Sequence, residues 1–275
     1  MTTAPTIRCV VPTLNSATTL DATLLSLSSQ QTSNIEIIVA DSGSTDGTLE
    51  ICKRWQVQVI YVPPGNMYRA VNAGLRGGDS EWMAYLNSDD WIYPDSFDRL
   101  IECGEATNAD VVYGNCDYSD GQGRFVYSLA AAQPSHLLPL FRKRCMGFAQ
   151  QTAIFRRRVY EQLQGFDESF VYRADGDFYV RALLAGLRFV HLVGPSVACF
   201  RLHEKQFSNR GLSLTELEAD RIFNKPELRP GLNDQLIFAG WRLKNLPHYL
   251  IRILRESLLA NRVRFPRSIE TYNHR

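Results

Sequence analysis

Four apolar runs, each stopped by polar or turn-forming residues, punctuate the first ninety residues. Ile7 to Val11 stops at Pro12-Thr13-Leu14-Asn15, and Ile35 to Ala40 stops at Asp41-Ser42-Gly43. Val57 to Val62 stops at Pro63-Pro64-Gly65, and Trp82 to Leu86 stops at Asn87-Ser88-Asp89-Asp90. Short runs rich in β-branched and aromatic residues predict buried strands. Between them, Leu20, Leu24 and Leu27, then Leu49, Ile51 and Cys52, recur at helical spacing; residues 66–77 predict a third helix. Pro94-Asp95 opens a fourth helix, with Phe97, Leu100 and Ile101 on its apolar face. Strand and helix in alternation predict an α/β fold with a doubly wound, mostly parallel central sheet. After about residue 110 the pattern loosens into short strands (110–114, 124–128, 152–155, 188–192, 196–200) and helices over 157–163 and from Ala174-Asp175 to Gly186. Beyond Ser213 the chain reads mainly as helix.

Composition narrows the function classes. Of 275 residues, 45% are hydrophobic and 21% charged, as in an ordinary globular protein. A formal net charge of +1 speaks against a general polyanion binder and against nucleic acid as a partner. The six cysteines form no CxxC pair, so neither a zinc ribbon nor a disulfide framework is expected, and reduced thiols suit a cytoplasmic protein. Neither a signal peptide nor a membrane span is expected. No GxGxxG follows the first strand, which disfavours a dinucleotide-binding oxidoreductase.

The strand ends carry the candidate chemistry. Asp89 and Asp90 sit side by side where ligands bind in an open parallel sheet; they either hold a hard divalent ion or form a solvated turn that caps the next helix. Asp41, before a Gly/Ser loop, either hydrogen-bonds the imide of a nucleotide base or makes an Asx-turn. Asp175, opening a helix, is either its cap or a general base. Asp177 and Arg181 predict an exposed i,i+4 pair. His203 is either a ligand for metal or phosphate or a structural histidine.

Taken in order, these stretches resemble the inverting family-2 glycosyltransferases of GT-A fold. The resemblance is carried by Val11-Pro12-Thr13-Leu14-Asn15, Ser26 and Gln30, Glu36 to Thr48, Tyr68 to Gly74, Tyr85 to Asp90, and Asp175-Gly176-Asp177. It implies a transferase that moves a sugar from a nucleotide-diphosphate sugar, UDP favoured, to a glycan or lipid-linked acceptor with inversion, in surface polysaccharide or glycolipid synthesis. It further implies donor contacts from Pro12, Thr13, Asn15, Asp41, Ser42, Tyr68, Asn72, Asn87 and Ser88. Mn²⁺ or Mg²⁺ would be held by Asp89, Asp90 and His203, and Asp175 would be the catalytic base. Two positions depart from the family pattern: Asn87 replaces the first acid of D-x-D, and Arg69 stands where relatives often carry an acid. The alternative is a catalytically silent nucleotide-sugar or glycan-binding module on the same fold.

Acceptor contacts are expected from Met146 to Gln151 (Phe148, Gln150 and Gln151 in particular) and from a lid over Glu204 to Leu212. The expected organisation is a catalytic domain over 1–205, its donor half about 1–110 and its acceptor half about 111–205, followed by a helical extension over 206–275. From Trp241 onward, leucines at helical spacing among arginines predict a basic amphipathic helix. Its apolar face would meet the catalytic domain, a second subunit, or the inner face of the cytoplasmic membrane. The whole reading requires Asp41, Asp89 and Asp175 to converge on one cleft.

Overall fold

The computed structural model of the chain describes residues 6–30, 34–203 and 212–260. At its centre lies β1 (Ile7–Thr13), buried along its whole length. It runs parallel to β2 (Ile35–Asp41) on one side and to β4 (Trp82–Tyr85) on the other. Outside β2 lies β3 (Gln58–Tyr61), also parallel. On the other flank β9 (Ala153–Arg156) runs antiparallel to both β4 and β6 (Val111–Tyr113), and β10 (Phe189–His191) closes the sheet parallel to β6. The order β10-β6-β9-β4-β1-β2-β3 is the expected mostly parallel sheet with one reversed strand.

Alternation along β1 fills both faces of this sheet. Ile7, Cys9 and Val11 join Leu20, Leu24 and Leu27 of α1 (Leu20–Ser28) and residues of α2 (Thr48–Trp55) and α4 (Ser96–Thr107). Val10 faces the other way, towards Tyr68, Val71 and Leu75 of α3 (Met67–Leu75) and Phe178 of α7 (Ala174–Leu184). The same face receives α5 (Pro134–Arg142) and α6 (Arg157–Gln162) through Leu137, Phe141 and Val159. Arg8 shares the inner face of α3. It is buried, and its Nε donates to the Gly74 carbonyl at 2.6 Å while Nη1 lies 2.5 Å from Glu36. Gly74 lets α3 sit this close, because a Cβ there would lie 2.6 Å from the Val10 methyls.

The sequence pattern did not reveal a second sheet of four strands. Its order is β5 (Trp91–Ile92), β11 (Ala198–Arg201), β7 (Cys116–Ser119) and β8 (Phe125–Leu129). β5 is two residues long and β7 is polar at alternate positions, so neither makes an apolar run. This sheet carries the end of β11 across to the loop after β4. Two helices follow, α8 (Leu212–Phe223) and α9 (Leu232–Ala260). Trp241 and Asn245 fix α9 to the body: Trp241 Nε1 donates to the Ala130 carbonyl at 3.2 Å, and Asn245 Oδ1 accepts from the Ala130 N–H at 2.9 Å. No helix among the described residues is long and apolar enough to cross a membrane.

Gly74→Ala should destabilise the fold by roughly 1–3 kcal/mol, the usual cost of overpacking a filled core. A thermal melt that matches wild type would show that α3 can withdraw from β1 without loss.

Candidate active site

The carboxyl ends of β1, β2, β4 and β11, with the amino ends of α3 and α7, surround a cleft of about 1130 Å³. Pro12, Thr13 and Asn15 line it from the first loop, Ser42 from the second, Tyr68 from α3, and Asn87, Ser88 and Asp89 from the third. Phe148, Gln150 and Gln151 form part of the floor, and Asp175 and His203 lie on the walls. The loops brace one another. Ser42 N–H donates to the Thr13 carbonyl at 2.9 Å, and the Ser16 and Ser88 hydroxyls are 2.7 Å apart. Asn15 holds a left-handed backbone (φ 53°), from which its Oδ1 accepts the Thr45 N–H at 2.9 Å.

Three expected contacts are not in the cleft. Asp41 is fully buried behind Ser42, and its carboxylate accepts from the Gly43 and Ser44 N–H groups and the Ser44 hydroxyl. It shapes the loop, which is the Asx-turn option, so of the three acids expected to converge Asp89 and Asp175 line the cleft and Asp41 acts only through the loop that bears Ser42. Asn72 is spent in the same way: its amide donates to the Phe166 carbonyl and to Glu168, and its Oδ1 accepts from Phe166 N–H and Tyr160. It staples α3 to the turn before α7. Asp90 points inward and accepts the Arg201 N–H at 2.9 Å, so it anchors β11 and does not face a metal. Burial, then the neighbouring Asp89, pushes its carboxyl well above the usual range. Arg69 is also outside the cleft, 3.6 Å from Glu168. The Asp177–Arg181 pair is buried at its acid, not exposed, and Arg181 also holds the Leu163 and Gly165 carbonyls. Of the expected lid, residues 204–211 lie outside the described residues.

Asp89 Oδ2 and His203 Nε2 stand 2.9 Å apart at the cleft surface, each about one quarter exposed. That separation suits a hydrogen bond. It also matches the edge of an octahedral ion, where adjacent ligands about 2.1 Å from the metal lie about 3 Å apart. Beside them, Asn87 Oδ1 is buried with no hydrogen-bond partner among the described residues. The described residues contain no group of three or more acidic, His or Cys ligands, so a cation held by Asp89 and His203 would need phosphate and water oxygens to complete its shell.

Asp175, in the first turn of α7, accepts from the Gly176 N–H at 2.8 Å and lies 3.1 Å from the Tyr68 hydroxyl. Burial raises its pKa; these two hydrogen bonds and the Arg173 charge oppose the rise. Tyr68 is held by stacking on Phe166, which stacks in turn on Phe178.

Sequence reasoning missed Glu218. From α8 its carboxylate accepts three successive backbone N–H groups, Val171 at 2.6 Å, Tyr172 at 2.9 Å and Arg173 at 3.0 Å. The residue is 5% exposed, and it orders the turn that presents Asp175. An acid inside an amphipathic helix gives no sign of this duty. The basic side was missed as well: Lys143, Arg144, Arg173, Arg201 and Arg242 line the cleft, against Asp89 and Asp175 as the acids. Consecutive basic residues at 142–144 were a signal, but their convergence with Arg173 and Arg201 depends on the fold.

The family model for Glycosyl transferase family 2 matches residues 9–164. Succinoglycan biosynthesis protein ExoO of Rhizobium meliloti is 30% identical over 78% of this chain and 66% of its own length. A PGL/p-HBAD biosynthesis glycosyltransferase of Mycobacterium bovis is 28% identical over 70% of this chain and 77% of its own length. The chain spans only 18% of Streptococcus pneumoniae glycosyltransferase GlyA, at 31% identity over 45% of this chain. Among solved structures, S. aureus TarS 1–349 in complex with UDP-GlcNAc superposes with a TM-score of 0.63 at 19% identity, over 88% of this chain and 72% of that one. Mannosyltransferase PcManGT from Pyrobaculum calidifontis, in complex with GDP-Man and Mn²⁺, gives 0.58 at 15% identity, over 94% and 86%. These likenesses establish the GT-A fold.

Two outcomes follow from this geometry. Glu218→Ala should cost about 2 kcal/mol of stability by stranding backbone donors, and should lower turnover more than donor affinity; equal losses in both would make Glu218 a stability residue only. A raised folded pKa means Asp175 disfavours the folded state once it ionises, so that stability is lost as pH rises through the folded value. Asp175→Asn should therefore melt higher than wild type at neutral pH, with the gap closing in acid; a lower melting temperature at neutral pH would contradict the burial argument.

Proposed function

Because the chain belongs to glycosyl transferase family 2, we propose that its cleft transfers a sugar from a nucleoside-diphosphate sugar to an acceptor hydroxyl with inversion at the anomeric carbon. The observation that carries this reading is the presence of two differently placed acids in one electropositive cleft: Asp89 beside His203, and desolvated Asp175 beside Tyr68. Relatives named for succinoglycan and PGL/p-HBAD biosynthesis support a product in surface polysaccharide or glycolipid.

The proposed donor half is built by the strand ends of residues 1–110, and the proposed acceptor half by residues 111–205 with a wall from the 206–275 extension. Pro12, Thr13, Asn15 and Ser42 border the place for the base, and Tyr68, Asn87 and Ser88 that for the ribose and phosphates. UDP is the favoured base carrier, a reading supported by the neighbour bound to UDP-GlcNAc. Lys143, Arg173 and Arg201 offer positive charge to the diphosphate. Asp89 and His203 would hold Mn²⁺ or Mg²⁺, which when bound stabilises the charge developing on the leaving diphosphate.

Asp175 takes the proton of the acceptor hydroxyl. That oxygen attacks the anomeric carbon from the face opposite the diphosphate, and the bond to the diphosphate oxygen breaks with its electron pair. A pKa raised by burial strengthens Asp175 as a base, and the Gly176 N–H, Tyr68 and Arg173 oppose that rise by favouring its charged form. Inversion is the outcome of a single displacement in which Asp175 acts as the base and Asp89 is assigned to the cation and not to attack on the sugar.

The test combines thermal shift and turnover. UDP-sugars with Mn²⁺ should raise the melting temperature more than GDP- or dTDP-sugars, and Asp89→Ala should erase the dependence on Mn²⁺. Asp175→Asn should lower turnover by at least about 10²-fold, the usual scale of general-base catalysis, and leave donor binding intact. Donor binding without hydrolysis or transfer in the wild-type chain would favour the catalytically silent module.

A further inference from the structure

The helix α9 has two unlike faces. Asp234, Trp241 and Asn245 are buried against the body. On the opposite side Leu232, Leu236, Leu243, Leu246, Leu250 and Leu254 are all exposed, Leu236 at 73% and Leu243 at 67%. At about 100° per residue these six fall within an arc of about 80°, and they extend about 33 Å along the helix. Leu217 of α8 is also exposed, at 65%. A stripe this long and narrow is not the scattered apolar exposure of an ordinary surface.

We propose that this stripe seats the protein on an anionic phospholipid surface. Charge selects the occupant. From Leu232 to Arg275 the sequence has eight Lys and Arg against Asp234, Glu256 and Glu270. Asp234 is turned inward to the Gly231 N–H and Arg142, whereas Lys244 is exposed. Two copies of such a segment repel, and along the described flanks of the stripe Gly240, Arg242 and Pro247 offer no acid for pairing across a dimer. An anionic leaflet takes both the leucines and the basic charge.

The position of the stripe adds a function. Phe238, Trp241 and Arg242 of the same helix line the cleft. Lipid on the outer side of α9 would lie about one helix diameter, roughly 10 Å, from the acceptor side of that cleft. A sugar acceptor carried on a lipid could then enter along the aromatic wall formed by Tyr172, Phe223, Phe238 and Trp241. The choice of a lipid-linked acceptor rests on the glycosyl-transfer reading; the membrane surface itself does not.

The experiment is co-sedimentation of the full chain with vesicles of phosphatidylcholine alone and of phosphatidylcholine mixed with phosphatidylglycerol. Binding should require the anionic lipid and weaken with salt. Leu236→Glu, Leu243→Glu and Leu250→Glu together should reduce it at least about tenfold, with the circular dichroism spectrum and donor thermal shift unchanged. A milder variant, Leu243→Ser with Leu250→Ser, guards against loss of the helix and should show a smaller loss in the same direction. Vesicle binding unchanged in both variants, or absent in wild type, overturns the proposal. So does a dimer in sedimentation velocity that the substitutions dissociate in the absence of lipid binding. Loss of the donor shift in wild type would instead sink the glycosyl-transfer reading and leave the surface standing.

Discussion

A half-buried carboxylate that faces a cleft must be held by something, and the arrangement around Asp175 depends on that constraint. Its charge is costly where it lies, and three local groups offset the cost: the Gly176 N–H, the Tyr68 hydroxyl and the Arg173 guanidinium. None of these stands alone. Tyr68 keeps its place through the Phe166 and Phe178 stack, which is part of the core on that face of the sheet. The turn bearing Arg173 is drawn together by Glu218, whose carboxylate is itself buried and satisfied by three backbone donors. Core packing, a distant helix and the Asp175 carboxylate therefore form one mechanical unit.

Charge across the chain is arranged by the same logic. A formal charge of +1 describes the whole molecule correctly and says nothing of its interior distribution. Five basic residues line the cleft with two acids, Arg144 among them being paired with Asp220, while acids elsewhere are occupied by surface or structural pairs, as Asp21 is by Arg54 and Glu36 by Arg8. Within a recess walled by apolar side chains such a concentration is screened less than at an open surface, so it favours a compact polyanion such as a diphosphate. The composition argument against long polyanions is compatible with this site because it concerns the outer surface.

The parts of the fold that could be read from sequence were those with one physical cause. β1, β2, β3 and β4 are apolar runs that end at polar loops; β1 and β4 are buried along their whole length, and β3, at the sheet edge, is legible from its β-branched run alone. β5 and β7 owe their pairing to neighbours far along the chain, so local pattern does not announce them. The site divides in the same way. Asp89 and Asp175 could be placed at the cleft, but Asp89 and Asp90 lie in the turn between β4 and β5, and sequence does not say which of them turns outward. On α3, Tyr68 reaches the cleft, whereas Asn72 lies one turn deeper and meets the Phe166 turn. Asp41 was assigned by resemblance to the base, yet Gly43 and Ser44 consume its oxygens.

The two sides of the cleft are built by different elements, which bears on how each can change. One side rests on strand ends whose register fixes Thr13 opposite Asp41, so a shift there would disturb the sheet. The other borrows Thr215, Ile222, Phe223, Phe238, Trp241 and Arg242 from α8 and α9. Those helices bury Ala219, Ile222, Phe223 and Trp241 in the core on that face of the sheet, and polar contacts such as Trp241 and Asn245 on Ala130 and Arg142 near Asp234 pin them in place. Substitution along that wall can reshape this side of the cleft while the strand ends keep their geometry. Glu218 sets the limit to that freedom: α8 can vary on its outer and cleft-facing sides, but the residue that gathers the Val171, Tyr172 and Arg173 N–H groups has to stay, because moving it moves Asp175.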